Sequence, residues 1–233
     1  MRVHMDIDTL DTDGALRETA AAAAGDTRAQ FLAKAGLVGG GLVGSAALLR
    51  PEVAAAASAK GDIAILNYAL TLEYLEAAFY TEAEKMGALS GELALFAAVV
   101  GAHERAHVKA LKAVLGRKAV AKPKFDFRGT TESADDFAAT AQVLEDTGVA
   151  AYAGQAPRVK ADAILKAALA IHTVEARHAG WIRDINGAAP APEAFDEPLT
   201  KKQVLAAVAG TRFIVPRRRR RMTSGDAAPR FAG

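Results

Sequence analysis

Two short stretches decide the fold of this chain: His-Glu-Arg-Ala-His at residues 103–107 and His-Thr-Val-Glu-Ala-Arg-His at residues 172–178. Each contains Glu-x-x-His, and together they hold four of the five histidines. Another glutamate, Glu73 or Glu145, precedes each stretch within an apolar, helix-forming segment. One glutamate from each of two helices, plus Glu-x-x-His from each of two others, is the ligand set of a carboxylate-bridged two-metal site. The sequence therefore predicts an all-α four-helix bundle around a buried metal-binding layer.

The two halves of this bundle repeat each other in spacing. In each half a glutamate is followed by a tyrosine after seven residues and by the Glu-x-x-His glutamate after 31 or 30 residues. The matched residues are Glu73, Tyr80, Glu104 and His107 in the first half and Glu145, Tyr152, Glu175 and His178 in the second. At 3.6 residues per turn, the positions around the later glutamates form one helix face. The same register selects Glu73 over Glu76, which lies about 60° away around the helix and is expected beside the site or at the surface.

Four carboxylates and two imidazoles directed into one apolar core need compensation, because burial of an unpaired ionised carboxylate is very costly. Two divalent cations would match the four carboxylate charges. Glutamate and histidine suit iron or manganese, and the chain has no cysteine for a thiolate site. We therefore predict two Fe ions as cofactor, with Mn as the alternative. Tyr80 and Tyr152 are expected near the metals, as redox-active groups or as hydrogen-bonding core residues. His103 and His172 are expected beside the site or at the surface.

Residues 1–59 are predicted as an export signal region with a disordered N-terminus, because the first 27 residues are polar and acidic, then Ala-rich, without a sustained apolar period. A basic start at residues 27–34 precedes a Gly-rich apolar run at residues 35–49, and Ala57-Ser58-Ala59 offers a small-residue cleavage site. The stretch resembles a twin-arginine signal, with Ala29 in place of the second arginine. The apolar run is shorter than the roughly 20 residues that span a bilayer. We expect an exported protein of the periplasm, cell envelope or extracellular space. An uncleaved membrane anchor through residues 35–49 is the alternative.

Residues 60–187 are predicted to form the bundle. Its helices are expected at residues 61–86, 91–115, 133–154 and 158–186, because glycines and capping serines bound these segments. A long connection over residues 117–132, between helices 2 and 3, contains Pro123 and Gly129 and lets the second pair cross the bundle. Residues 188–233 are predicted as a linker, a short helix at residues 200–209 and a basic tail.

Charge is spread unevenly along the chain. The net charge is +2, and the run Arg217–Arg221 alone supplies five positive charges. Without that run the body is close to neutral, so we expect no specific nucleic-acid partner. The run is expected to be a solvated tail or a contact to an anionic surface, where each charge contributes about 1 kcal/mol.

Residues 72–80 (Leu-Glu-Tyr-Leu-Glu-Ala-Ala-Phe-Tyr) and 102–107 (Ala-His-Glu-Arg-Ala-His) resemble exported bacterial ferritin-like and desiccation-related proteins. Residues 61–186 thus look like a member of the ferritin-like superfamily. The resemblance implies a ferritin-like bundle with a long crossover between helices 2 and 3. It also implies bridging ligands at Glu104 and Glu175 and terminal ligands at Glu73, His107, Glu145 and His178.

The resemblance leaves two functions open. The first is a di-metal oxidoreductase, of ferroxidase, peroxidase or catalase type, acting on dioxygen, peroxide or ferrous iron. The second is a structural or desiccation-protective bundle in which metal only stabilises the fold by binding the folded state. A homo-oligomer is compatible with both. The cysteine-ligated iron of rubrerythrins is excluded because the chain has no cysteine.

Overall fold

The computed structural model describes residues 60–216, and every structural statement below refers to this part of the chain. The predicted export signal in residues 1–59, its alternative as a membrane anchor, and the run Arg217–Arg221 lie outside the described residues.

Four long helices form the body of the protein. They are α1 (Lys60–Met86), α2 (Gly91–Leu115), α3 (Ala134–Gln155) and α4 (Asp162–Ile185), followed by a shorter α5 (Lys201–Thr211). Helices α1 and α2 pair closely, as do α3 and α4. The prediction of an all-α four-helix bundle with a short C-terminal helix is confirmed. Along residues 60–216, no helix combines the length and the apolar character needed to cross a membrane.

The connection between α2 and α3 runs the length of the bundle. At one end of the core, Leu115 of α2 packs in a cluster with Leu66 and Ile164. At the other end, Phe137 in the first turn of α3 packs in a second cluster with Phe79. Helix α2 therefore finishes at one end and α3 starts at the other, which is the long crossover that the sequence predicts.

A small β-sheet, which the sequence analysis did not predict, fastens the crossover. Strand β1 (Lys124–Phe125) pairs antiparallel with β2 (Ile214–Val215), and the N–H of Asp126 donates to the carbonyl of Phe213 over 2.9 Å. Residues after Gly210 were predicted to be tail. That is wrong as far as Val215, because α5 continues through Gly210 and the chain then turns through left-handed Arg212 into β2. Strands of two residues are too short to show a periodic pattern.

The start of α4 lies four residues later than the sequence predicts. Helix α4 was expected from Arg158 but begins at Asp162. The fully buried carboxylate of Asp62, in α1, accepts hydrogen bonds from the backbone N–H groups of Lys160 (2.9 Å) and Ala161 (3.0 Å). These bonds hold the preceding segment outside the helix. The cap of α3 is as predicted, since the Ser133 hydroxyl accepts from the N–H of Asp136.

Helix α5 covers the face between α1 and α3. Its buried Val204 and Val208 pack on Tyr68 and Leu72 of α1, together with Ala151 of α3. The segment before α5 approaches α3 so closely that a Cβ atom at Gly154 would lie 1.9 Å from the carbonyl oxygen of Leu199. Glycine at position 154 is therefore a requirement of this docking.

Candidate metal centre

One layer at the middle of the bundle contains all six predicted metal ligands. The four helices contribute Glu73 from α1, Glu104 and His107 from α2, Glu145 from α3, and Glu175 and His178 from α4. All four glutamates are fully buried, and the side chains of His107 and His178 are 12% and 4% exposed. The apolar cluster containing Leu66 lies on one side of this layer and the cluster containing Phe79 on the other.

The first group of polar atoms surrounds Nδ1 of His107. This nitrogen lies 3.1 Å from Oε1 of Glu175, 3.2 Å from Oε2 of Glu73 and 3.5 Å from Oε2 of Glu104. Ligand atoms at about 2.1 Å from one cation are roughly 3.0–3.4 Å apart for octahedral to tetrahedral angles. The spacing of this group therefore suits a single ion.

The second group surrounds Nδ1 of His178. It lies 3.2 Å from Oε1 of Glu104, 3.3 Å from Oε2 of Glu145 and 3.9 Å from Oε2 of Glu175. Glu104 and Glu175 thus belong to both groups, and each directs one oxygen to His107 and the other to His178. In each group the candidate ligand atoms all lie within 4.8 Å of one another.

The oxygen and nitrogen atoms that could bind a cation in this layer lack hydrogen-bond partners. Within residues 60–216, eleven buried side-chain N or O atoms make no hydrogen bond, and eight belong to the six ligand candidates. They are Oε2 of Glu73 and Glu145, both carboxylate oxygens of Glu104 and Glu175, and Nδ1 of His107 and His178. Buried polar groups are normally paired, so this concentration fits a pair of divalent cations.

Two tyrosines fix the remaining oxygens of the outer glutamates. The Tyr152 hydroxyl, from α3, donates to Oε1 of Glu73 over 2.5 Å, and the Tyr80 hydroxyl, from α1, donates to Oε1 of Glu145. Burial raises the pKa of both tyrosines well above the usual value, and the charges of Glu73 and Glu145 add to this. Both hydroxyls therefore keep their protons and act as donors. The sequence left open a redox role, which stays a prediction.

The charges of the layer are balanced internally by protons. Burial raises the pKa of Glu73 and raises that of Glu145 to about 8. Against the opposing effect of burial, the charges of Glu73 and Glu104 raise the pKa of His107. Burial also opposes ionisation of Glu104, but the charge of the adjacent His107 imidazole lowers its pKa. In the metal-free protein these shifts favour protons on the imidazoles and the outer carboxyls, and bound cations would displace those protons.

A fifth carboxyl, that of Glu76, is buried at the edge of the layer. Only 3% of Glu76 is exposed, and burial, followed by the charge of Glu175, raises its pKa. In the internal repeat Glu76 corresponds to Gly148, and a Cβ at Gly148 would lie 3.1 Å from Oε1 of Glu76 and 3.3 Å from Oε2 of Glu175. The sequence did not decide whether Glu76 is buried. Gly148, at the corresponding position, was the sequence signal that other side chains approach the backbone closely there.

The two other histidines of the bundle differ in position. Nδ1 of His103 lies 2.9 Å from Nε2 of His178, and the two rings stack with centroids 5.1 Å apart. His103 therefore contacts a ligand candidate from the outer side. His172 belongs to neither group, and its buried Nδ1 makes no hydrogen bond within residues 60–216.

The sequence matches a known protein family. A family model described as a ferritin-like domain matches residues 61–188, which is more than half of the chain. No curated protein matches the sequence.

Proposed function

Because the chain belongs to the ferritin-like family, we propose that it is a di-metal oxidoreductase that uses two iron ions, or manganese ions, in chemistry with dioxygen, peroxide or ferrous iron. The observation that carries the proposal is the sharing of Glu104 and Glu175. Each directs one oxygen to the His107 group and one to the His178 group. A single structural cation would not need two such groups.

The assignment of ligands follows the two groups. Glu73 and His107 would complete the coordination of one ion, and Glu145 and His178 that of the other, with Glu104 and Glu175 between them. When bound, a pair of redox-active ions would supply two electrons to a small oxidant, or accept two from a small reductant, at one place. Glutamate and histidine ligands are compatible with iron and manganese alike.

The protein residues prepare this chemistry in two ways. The hydroxyls of Tyr152 and Tyr80 hold Oε1 of Glu73 and Glu145, so that Oε2 of each carboxylate faces its group. Apolar clusters above and below the layer exclude bulk water, which strengthens electrostatic attraction between the carboxylates and bound cations. A carboxylate set that is preorganised in this way needs little rearrangement on loading.

Two small cavities lie beside the ligand layer. A cavity of about 30 Å³ borders Tyr152, and one of about 20 Å³ borders Glu76 and Gly148. Volumes of this order accommodate one or two water-sized molecules. Dioxygen and peroxide are of that size. The basic and apolar pattern of residues 1–59 further supports a site of action outside the cytoplasm.

The test combines stoichiometry with oxidation kinetics. We expect anaerobic titration with Fe²⁺ to reach two ions per chain. Stopped-flow mixing of the loaded protein with dioxygen or peroxide should show faster oxidation than free Fe²⁺ in the same buffer. Glu104→Gln combined with Glu175→Gln should abolish both effects. The matched control is Glu193→Gln combined with Glu197→Gln, on an exposed loop, which should change neither.

Full burial of all four glutamates also favours a second function, a protective bundle in which bound metal only stabilises the fold. Metal would then raise the melting temperature without accelerating oxidation. Two bound ions with no acceleration by either oxidant would therefore replace the redox proposal by this one. A chain that binds no Fe²⁺ or Mn²⁺ would contradict both.

A further inference from the structure

We infer that His103 positions His178 for metal binding and thereby makes the two halves of the metal centre unequal. The inference rests on the proposed di-metal function. It adds a residue outside the six candidate ligands and specifies that the His107 half is the one that exchanges its ion.

The geometry defines what each nitrogen of His178 does. Its Nδ1 faces Glu104 and Glu145, and its Nε2 lies 2.9 Å from Nδ1 of His103. A metal-binding Nδ1 must present a lone pair, so the ring hydrogen of His178 resides on Nε2. That N–H then donates to Nδ1 of His103, which carries its own hydrogen on Nε2. His103 thus selects the metal-binding tautomer of His178 and fixes its ring.

The other half of the site lacks this support. His103 directly precedes Glu104, and the residue that directly precedes Glu175 is Val174. A valine side chain has no hydrogen-bond acceptor. Accordingly, Nε2 of His107 makes no hydrogen bond to another side chain in the described part of the protein, and the His107 side chain is more exposed than that of His178. The internal repeat is thus broken at this position, as it is at Glu76 and Gly148.

The difference has a predictable size. Loss of a hydrogen bond that orients a ligating histidine typically lowers metal affinity by about 10–100-fold. The ion at His178 should therefore be held more tightly than the ion at His107. With ferrous iron as substrate, the His107 half is where ions are released and replaced, while the His178 half retains its ion.

The experiment is calorimetric titration with Mn²⁺ under anaerobic conditions, which measures binding without any turnover. In His107→Ala, which keeps the His178 half, adding His103→Leu should raise the Kd of the remaining ion about 10–100-fold. In His178→Ala, which keeps the His107 half, the same addition should leave Kd unchanged. This double comparison isolates the contact between His103 and His178.

Two control variants separate positioning from simple loss of structure. In His103→Asn, the amide oxygen occupies nearly the place of Nδ1 and still accepts a hydrogen bond, so affinity should be largely retained. His172→Leu removes a histidine that belongs to neither group and should leave both affinities unchanged.

The failure of this inference is distinguishable from failure of the proposed function. If two Mn²⁺ ions bind and their affinities are unchanged by His103→Leu, the role of His103 is overturned and the di-metal proposal stays intact. An equal loss of affinity in both halves would also overturn the role of His103. No Mn²⁺ binding by the unaltered protein would instead overturn the proposed function.

Discussion

The hydroxyls of Tyr80 and Tyr152 decide which oxygens of the outer glutamates are left for a cation. Each tyrosine belongs to the helix pair opposite the glutamate that it contacts, so the bonds cross between α1 and α3. The spacing of the repeat indicated that the tyrosines lie near the layer. The spacing could not show that these hydrogen bonds connect α1 with α3, because it does not indicate which helices face each other.

Removal of the Tyr80 hydroxyl should destabilise the protein. In Tyr80→Phe, Oε1 of the fully buried Glu145 loses its donor, and an unsatisfied buried acceptor costs about 1–3 kcal/mol. The measurement is urea unfolding of metal-free protein. Tyr68→Phe is the matched control, because the buried Tyr68 hydroxyl has no hydrogen-bond partner within residues 60–216. Equal losses of stability in the two variants would contradict the role given to Tyr80.

At the scale of helices, local sequence signals locate the starts of α3 and α5, where the cap lies in the helix's own segment. Ser133 and Thr200 precede α3 and α5 and cap them through their own hydroxyls. The start of α4 is different, because the N–H groups of Lys160 and Ala161, just before the helix, are bound by Asp62, about a hundred residues earlier in the chain. No local pattern around Arg158 reports such a partner. The β1–β2 pair was missed for the same reason, since each strand is defined by the other.

Helix α4 should depend on Asp62 for its position. Asp62→Ala leaves the N–H groups of Lys160 and Ala161 without acceptors, and we expect a loss of about 1–3 kcal/mol in unfolding free energy. Asp162→Ala, in the exposed first turn of α4, is the control and should cost less than about 1 kcal/mol. Chemical denaturation followed by circular dichroism measures both. A larger loss in the control would show that Asp62 does not hold this segment.

For the whole molecule, the sequence predicted the bundle and the six residues that the structure brings into one layer. The reason is that periodicity and matched spacing report on helices and helix faces. Two features of the environment escaped it. The burial of Glu76 follows from the approach of α3 at Gly148, and the contact of His103 with His178 follows from the packing of α2 on α4. Both depend on packing between helices that are far apart in sequence.

The metal-free protein should lose stability as pH rises from about 5 to about 8. Burial raises the pKa of Glu145 from 4.5 to about 8, and also raises the pKa values of Glu73 and Glu76. A carboxyl with a raised pKa binds more protons in the folded than in the unfolded protein over this range, so unfolding becomes more favourable as protons are lost. The raised pKa values of His107 and His178 act in the same direction above about pH 6.5.

Thermal melting of chelator-treated and Mn²⁺-loaded protein between pH 5 and pH 8 measures this dependence. The melting temperature of the metal-free protein should fall across the range, and the increase produced by Mn²⁺ should grow, because cations replace protons that become harder to retain. A metal-free melting temperature that rises with pH would contradict the assignment of protons to this layer.

The crossed contacts between α1 and α3 also fix when the layer can form. Neither helical hairpin, α1 with α2 or α3 with α4, contains a complete group, because each group needs glutamates from both hairpins. Each tyrosine also donates to a glutamate of the other hairpin. Helix pairing within each hairpin involves local contacts and can form early in folding. The ligand layer forms only after the two hairpins have packed together. Bound Mn²⁺ should then slow unfolding severalfold or more and leave the refolding rate almost unchanged. The metal centre would then form late in folding, so it would determine the lifetime of the native protein rather than the folding rate.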